Sequence, residues 1–140
     1  MKMPKPRNIM KTLIVEDDFT SRLLMQAILA PYGECHIAVN GREAIQAFRL
    51  ARAQGHPYDL VCLDIMMPEM DGHAVLKAIR AAEEAEGLLI GDGAKVIMTT
   101  ALMDKSNVFN AFREMCDGYL TKPIDKAKLL RLLASLALSG

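Results

Sequence analysis

The sequence predicts an α/β fold: a doubly wound parallel sheet of five strands wrapped by five helices. Three observations predict it. Short apolar runs alternate with longer amphipathic stretches five times, the rhythm of βα units joined by right-handed crossovers. The runs are apolar without alternation, as in Val96-Ile97-Met98, and strands of that kind are covered on both faces. Two of the runs end in carboxylates, Glu16-Asp17-Asp18 and Asp64, at the strand ends where open parallel sheets bind their ligands.

Each element has its own signal. Leu13-Ile14-Val15 is the first strand. Phe19 to about Ala30 reads as the first helix, with Leu23, Leu24, Ala27 and Ile28 on the inward face. Pro31 and Gly33 stop it. Cys35 to Val39 is the second strand, and Asn40-Gly41 makes a turn. Glu43 to about Ala53 is the second helix, with Ala44, Ala47, Phe48 and Ala51 inward, broken by Gly55 and Pro57. Leu60 to Asp64 is the third strand and His73 to about Ala85 the third helix. Residues 83–93 read as a long loop with an acidic start and an apolar patch, Leu88-Leu89-Ile90, tucked against the body, with a partner site as the second reading. Lys95 to Thr100 is the fourth strand, Asn107 to about Cys116 the fourth helix, and Gly118 to Thr121 the fifth strand. Asp125 to about Leu138 is the last helix, with Leu129, Leu132, Leu133 and Leu136 on its core face. Leu130 and Ala137 widen that stripe, as packing breadth or as a partner surface.

The chain has 140 residues, the size of one domain with a real core. Residues 1–10 are expected to form a flexible basic arm and residues 11–138 the domain, with no second unit. Lys plus Arg and Asp plus Glu both number 17. That balance argues against direct nucleic-acid binding, which needs a basic surface. Cys35, Cys62 and Cys116 have no metal-ligand spacing, and an odd, scattered set fits reduced thiols in a cytoplasmic protein. No stretch is long and apolar enough to span a bilayer, so no membrane association is expected. His36, His56 and His73 share no spacing with one another or with the acids and are read as structural or exposed. Asp18 reads as a capping or solvated neighbour.

The chemistry lies at four strand ends facing one crevice. They bring Glu16 and Asp17, then Asp64, then Thr99-Thr100-Ala101, then Lys122-Pro123. Crowded carboxylates repel unless a cation neutralises them, and an oxygen-only set favours a hard ion such as Mg²⁺. Three acids, a hydroxyl and an ammonium suit phosphoryl transfer onto a carboxylate, which depends on in-line geometry and charge neutralisation more than on acid–base work.

Four blocks carry a resemblance: Val15-Glu16-Asp17, Leu63-Asp64-Ile65-Met66-Met67-Pro68-Glu69-Met70-Asp71-Gly72, Thr99-Thr100-Ala101 and Tyr119-Leu120-Thr121-Lys122-Pro123. In this order, each at a strand end, they resemble the receiver domain of two-component response regulators, the CheY-like family, of the stand-alone type. The resemblance runs from Lys11 to about Leu136. It implies a flavodoxin-like sheet of order 2-1-3-4-5. It implies that Asp64 is the phosphoacceptor, that Asp17 binds Mg²⁺ directly and Glu16 through water, and that the Met66 carbonyl adds a ligand. Thr100 and Lys122 are implied to hold the phosphoryl group, Tyr119 to turn inward as Thr100 moves, and the Lys122–Pro123 peptide to be cis. A histidine kinase or histidine phosphotransfer protein is the implied donor. The implied readout is protein contact through the fourth helix, fifth strand and last helix, with homodimerisation on phosphorylation as a further expectation.

Three departures from the family pattern stand out. Glu16 sits where many relatives carry Asp. The loop before the fourth strand is longer than usual. Met66 and Leu102, each two residues beyond a site residue, are apolar and unable to orient an attacking water. Rival readings meet objections in the sequence. An aspartyl-phosphate phosphatase would want an acid at position 66. A flavin or nucleotide carrier would want a Gly- or Ser/Thr-rich loop after the first strand. A module that is never phosphorylated would not need the acids, Thr100 and Lys122 together.

Overall fold

The computed structural model describes residues 10–67, 69–89, 92–101 and 115–136. Five parallel strands form one sheet: β1 Met10–Val15, β2 Gly33–Ala38, β3 Leu60–Asp64, β4 Lys95–Thr100 and β5 Gly118–Thr121. Their spatial order is β2-β1-β3-β4-β5, the doubly wound arrangement. Helices α1 Phe19–Leu29, α2 Gly41–Ala53 and α3 Gly72–Ala85, with a C-terminal helix Lys126–Ser135, cover the two faces. The bounds of β3, β4 and β5 match the expected ones. The expected helix over Asn107–Cys116 falls almost wholly outside the described residues, as do Ile90, Leu102 and Ala137.

The sheet separates two cores. On one side Leu13, Val15, Val61, Leu63, Val96 and Met98 pack with Phe48 of α2 and Leu76 and Ile79 of α3. On the other, Ile14, Leu60, Cys62 and Ile97 pack with Met25, Ile28 and Leu29 of α1 and with Leu129 and Leu133. Burial on both faces explains why the sequences of β1, β3 and β4 do not alternate. Among these residues Leu13, Leu60, Leu63, Val96 and Ile97 are fully excluded from solvent. Each contributes about 2 kcal/mol of transfer free energy on burial.

Local chemistry fixes the boundaries. Asp18, Asn40 and Asp71 cap α1, α2 and α3, accepting from the backbone N–H of Ser21, Glu43 and Ala74 at 2.9, 2.8 and 3.0 Å. Asn40 is therefore a helix cap and not merely a turn residue. Glu43 reaches back to accept from the Val39 N–H at 2.8 Å, closing the start of α2 on itself. Gly33 opens β2 with φ of 144°, where a Cβ would stand 1.8 Å from the Met10 carbonyl oxygen. No side chain fits so close to β1.

The structure corrects three expectations. The inward face of α1 is Met25, Ile28 and Leu29, whereas Leu23, Leu24 and Ala27 face solvent. Helix α1 is apolar around most of its girth, and the neighbouring strands select the other stripe. The acidic start assigned to the 83–93 loop belongs to α3, and Glu83 is buried. In the apolar patch of that loop Leu88 is half-buried, but Leu89 is not tucked in, being 72 % exposed. Leu130, by contrast, packs against the second core, and Cys62 is a buried thiol pushed up to about 12 by desolvation, inert as expected.

A charged cluster lies at the base of the sheet, at the N-terminal end of β4. The Arg80 guanidinium donates to Glu83 Oε1 at 2.8 Å, to the Ala94 and Met115 carbonyls at 2.8 Å each, and to Asp117 Oδ2 at 3.0 Å. Glu83 Oε2 accepts from the Ala94 N–H at 2.7 Å, and Asp117 Oδ2 accepts from the Val96 N–H at 2.8 Å. One side chain of α3 thus fastens the start of β4 and the entry to β5. Nothing in the local sequence around Arg80 marks it.

Candidate functional site

The C-terminal ends of β1, β3, β4 and β5 meet at the opposite edge of the sheet. The register pairs Val15 with Leu63 and Asp64 with Thr99, so the residues that follow each strand emerge together. Glu16 follows β1 and is held by its N–H, which donates to the Ala38 carbonyl at 3.0 Å. Asp64 ends β3, and the Ile65 N–H donates to the Thr99 carbonyl at 3.0 Å. Lys122 follows β5, and its N–H donates to the Thr100 carbonyl at 2.7 Å. The Lys122–Pro123 peptide is cis.

These anchors bring the expected charges into contact. The Lys122 ammonium stands 2.9 Å from Glu16 Oε1 and 3.4 Å from Asp64 Oδ2. Asp64 is 3 % exposed and accepts from the Met66 N–H at 3.1 Å. Glu16 is also buried and accepts from the Asp18 N–H at 3.1 Å. Asp17 faces solvent beside them. Thr100 is buried at the end of β4, its hydroxyl donating to the Ala101 carbonyl at 3.3 Å. Tyr119, on β5, is 46 % exposed. The structure therefore brings Glu16, Asp17, Asp64 and Lys122 into one cluster, with Thr100 at its wall, and leaves Tyr119 outside.

Burial and crowding set the protonation. Desolvation, then the charge and hydrogen bond of Glu16, push the Asp64 carboxyl from 3.8 up to about 7, although Lys122 and the Met66 N–H pull it down. Burial alone would lower the Lys122 ammonium, but its hydrogen bond to Glu16 and the charges of Asp64 and Glu16 outweigh that and hold it above the ordinary lysine value. One cation shared by two buried carboxylates leaves the cluster short of positive charge. Among the described residues, Glu16, Asp17 and Asp64 each offer a carboxylate oxygen, all within 4.8 Å of one another. Ligands of an octahedral ion at about 2.0–2.1 Å stand about 3–4 Å apart, so a small contraction fits these three oxygens around Mg²⁺.

Two residues assigned no role from the sequence support the site. Arg22, on α1, donates from one guanidinium nitrogen to the carbonyls of Glu16 and Asp17 at 3.2 Å each, tying the acidic turn to the first helix. Its signal is its place in the first turn after the acids. Gly72 opens α3, and a Cβ there would stand 2.5 Å from the Asp64 carbonyl oxygen and 2.8 Å from the Ile65 Cα. The helix that follows the phosphoacceptor candidate packs directly on its backbone.

The profile of the response regulator receiver domain matches residues 12–134. The two-component response regulator ORR41 of Oryza sativa subsp. japonica is 31 % identical over 136 residues, spanning 95 % of this chain and 98 % of that protein. The osmosensing histidine protein kinase SLN1 of Saccharomyces cerevisiae is 28 % identical over 131 residues, 92 % of this chain but 10 % of the kinase. VanRB of Enterococcus faecalis is 34 % identical, and the chain spans 51 % of its length. Among solved structures, the chemotaxis protein CheY4 of Vibrio cholerae superposes with a TM-score of 0.71 at 26 % identity, covering 91 % of this chain and 98 % of that one.

Proposed function

The chain belongs to the response regulator receiver domain family, and from that premise we propose that Asp64 accepts a phosphoryl group from a histidine kinase or histidine phosphotransfer protein. The observation that carries this is the Lys122 ammonium poised between the carboxylates of Asp64 and Glu16. An Asp64 oxygen attacks phosphorus in line, the bond from phosphorus to the donor's imidazole nitrogen breaks, and the imidazole leaves as the acyl phosphate forms. Such a transfer needs little covalent help from the protein and much placement of charge.

Glu16, Asp17, Asp64 and the Met66 carbonyl would hold Mg²⁺, which neutralises oxygen charge and steadies the incoming group. Lys122 already touches the acceptor, and it follows the transferred group as a charge-assisted donor. Thr100 turns its hydroxyl from the Ala101 carbonyl to a phosphoryl oxygen. That rotation vacates space beside β4, which the exposed Tyr119 ring enters, and the surface of β5 and the C-terminal helix changes with it. The same chemistry predicts self-phosphorylation from a small phosphodonor. Intact-protein mass spectrometry after incubation with acetyl phosphate is the test. A phosphoryl adduct that requires Mg²⁺ and does not form when EDTA is present is expected. No adduct, together with no response to beryllofluoride, would instead make the chain a constitutive binding module.

Proton competition gives a second expected result. Asp64 holds its proton up to about pH 7 in the metal-free protein, so Mg²⁺ must displace that proton at lower pH. Titration calorimetry should give a constant affinity above that pH and a loss approaching about tenfold per pH unit below it. A flat profile down to pH 5 would show that Asp64 is ionised without metal. A third concerns lifetime. Met66 is apolar and 63 % exposed beside Asp64, and Leu102 is apolar in sequence, so no side chain at either place activates water. The acyl phosphate is therefore long-lived, and Leu102→Glu or Leu102→Asn should shorten its decay several-fold in a single-turnover measurement. Slower decay in those variants would refute this.

A further inference from the structure

Away from the acidic crevice, a cavity of about 430 Å³ opens between α3, residues 88–89 and Met115. Ala81, Leu88, Leu89 and Met115 form its apolar wall, with Lys77 and Glu84 beside them. Arg80 and Glu83 line its depth, and their charges are spent on each other, on Asp117 and on backbone groups. The cavity thus offers an apolar guest a wall, with one charge of each sign, Lys77 and Glu84, at hand. Leu89 projects from its rim, 72 % exposed.

We propose that this face joins two copies of the chain about a two-fold axis, with Leu89 of each copy seated in the cavity of the other. An isologous interface must carry both halves of every contact on one surface. Here the knob and the hole are neighbours. The charges are also self-complementary. Lys77 and Glu84 are both exposed on α3. They lie seven residues apart, two turns and about 10 Å along one face of the helix. An axis passing near Ala81, midway between them, sets Lys77 of one copy against Glu84 of the second and Glu84 against Lys77. Ala81 is small and exposed, so the two helices can approach there. A different partner would not require opposite charges placed symmetrically about a small residue. The interface is small, so a weak dimer is expected, with a dissociation constant of about 100 µM.

Sedimentation velocity of the full chain over a concentration series, without Mg²⁺ or phosphodonor, tests the proposal independently of any phosphoryl chemistry. A monomer–dimer equilibrium is expected, weakened at least tenfold by Leu89→Asp and clearly weakened by Lys77→Glu. The double variant Lys77→Glu/Glu84→Lys should restore it, because the reversed charges still match across the axis. All three positions are exposed, and circular dichroism checks that each variant folds. A monomer up to about 1 mM, beyond the range expected for so small an interface, would overturn the proposal and leave the cavity to another protein. A dimer indifferent to Leu89→Asp, or one that the double variant fails to restore, would overturn it equally.

Discussion

Asp64→Asn is expected to abolish the acetyl phosphate adduct and, at the same time, to stabilise the metal-free protein. The first effect follows from chemistry, since a carboxamide oxygen is too poor a nucleophile to hold the phosphoryl group. The second follows from the carboxyl being pushed from 3.8 up to about 7. A group whose folded pKa lies above its unfolded value binds a proton in the fold that the unfolded chain has released. The fold therefore loses stability as pH rises from about 4 to about 7, and the cost stays constant above that. The shift corresponds to at most about 4 kcal/mol. Asparagine keeps the shape without the charge, though it also loses the pairing with Lys122, so a gain of about 2 kcal/mol at pH 8 is expected. At pH 4 wild type and variant should melt together. Urea denaturation followed by circular dichroism at the two pH values checks this, and equal stabilities at pH 8 would show that Lys122 fully neutralises the crowding.

Arg80→Met should be the most destabilising single change away from the crevice. Arg80 and Glu83 are both buried, with side chains 6 % and 2 % exposed. Removing the guanidinium leaves the Glu83 carboxylate without its cation and takes donors from Asp117 and from the Ala94 and Met115 carbonyls. Breaking a buried pair on one side costs about 3–5 kcal/mol, a large part of the stability of a domain this size. Adding Glu83→Gln should recover about 2 kcal/mol, because the amide oxygen still accepts from the Ala94 N–H and no charge is stranded. A cost below about 1 kcal/mol for Arg80→Met would mean that water replaces the guanidinium, as it does for surface pairs.

The difference between these two sites measures what the sequence discloses. Glu16, Asp64 and Lys122 each end an apolar run, so their meeting follows from strand polarity once the sheet is known to be parallel. The Arg80 cluster has no such punctuation. Glu83 stands in an acidic stretch that reads as the start of a loop, and its role depends on Ala94 and Asp117, brought near only by the turn into β4 and the entry to β5. Helix α1 fails for another reason. Leu23, Leu24, Met25, Ala27, Ile28 and Leu29 satisfy helical periodicity in two phases, and only the strands behind it decide between them. Strands buried on both faces have no phase to misjudge, which is why β3 and β4 were legible to the residue.

Gly72 carries a consequence of a different kind. With the Asp64 carbonyl 2.5 Å from where its Cβ would lie, position 72 acts as a clearance gauge between the proposed acceptor and the helix behind it. A methyl group there would meet backbone, not a yielding side chain, so the strain would pass straight into the bond that aims the carboxylate. The proposed reactivity of Asp64 thus rests on a residue with no functional group at all, and a substitution that looks harmless on paper would detune the proposed acceptor by moving it.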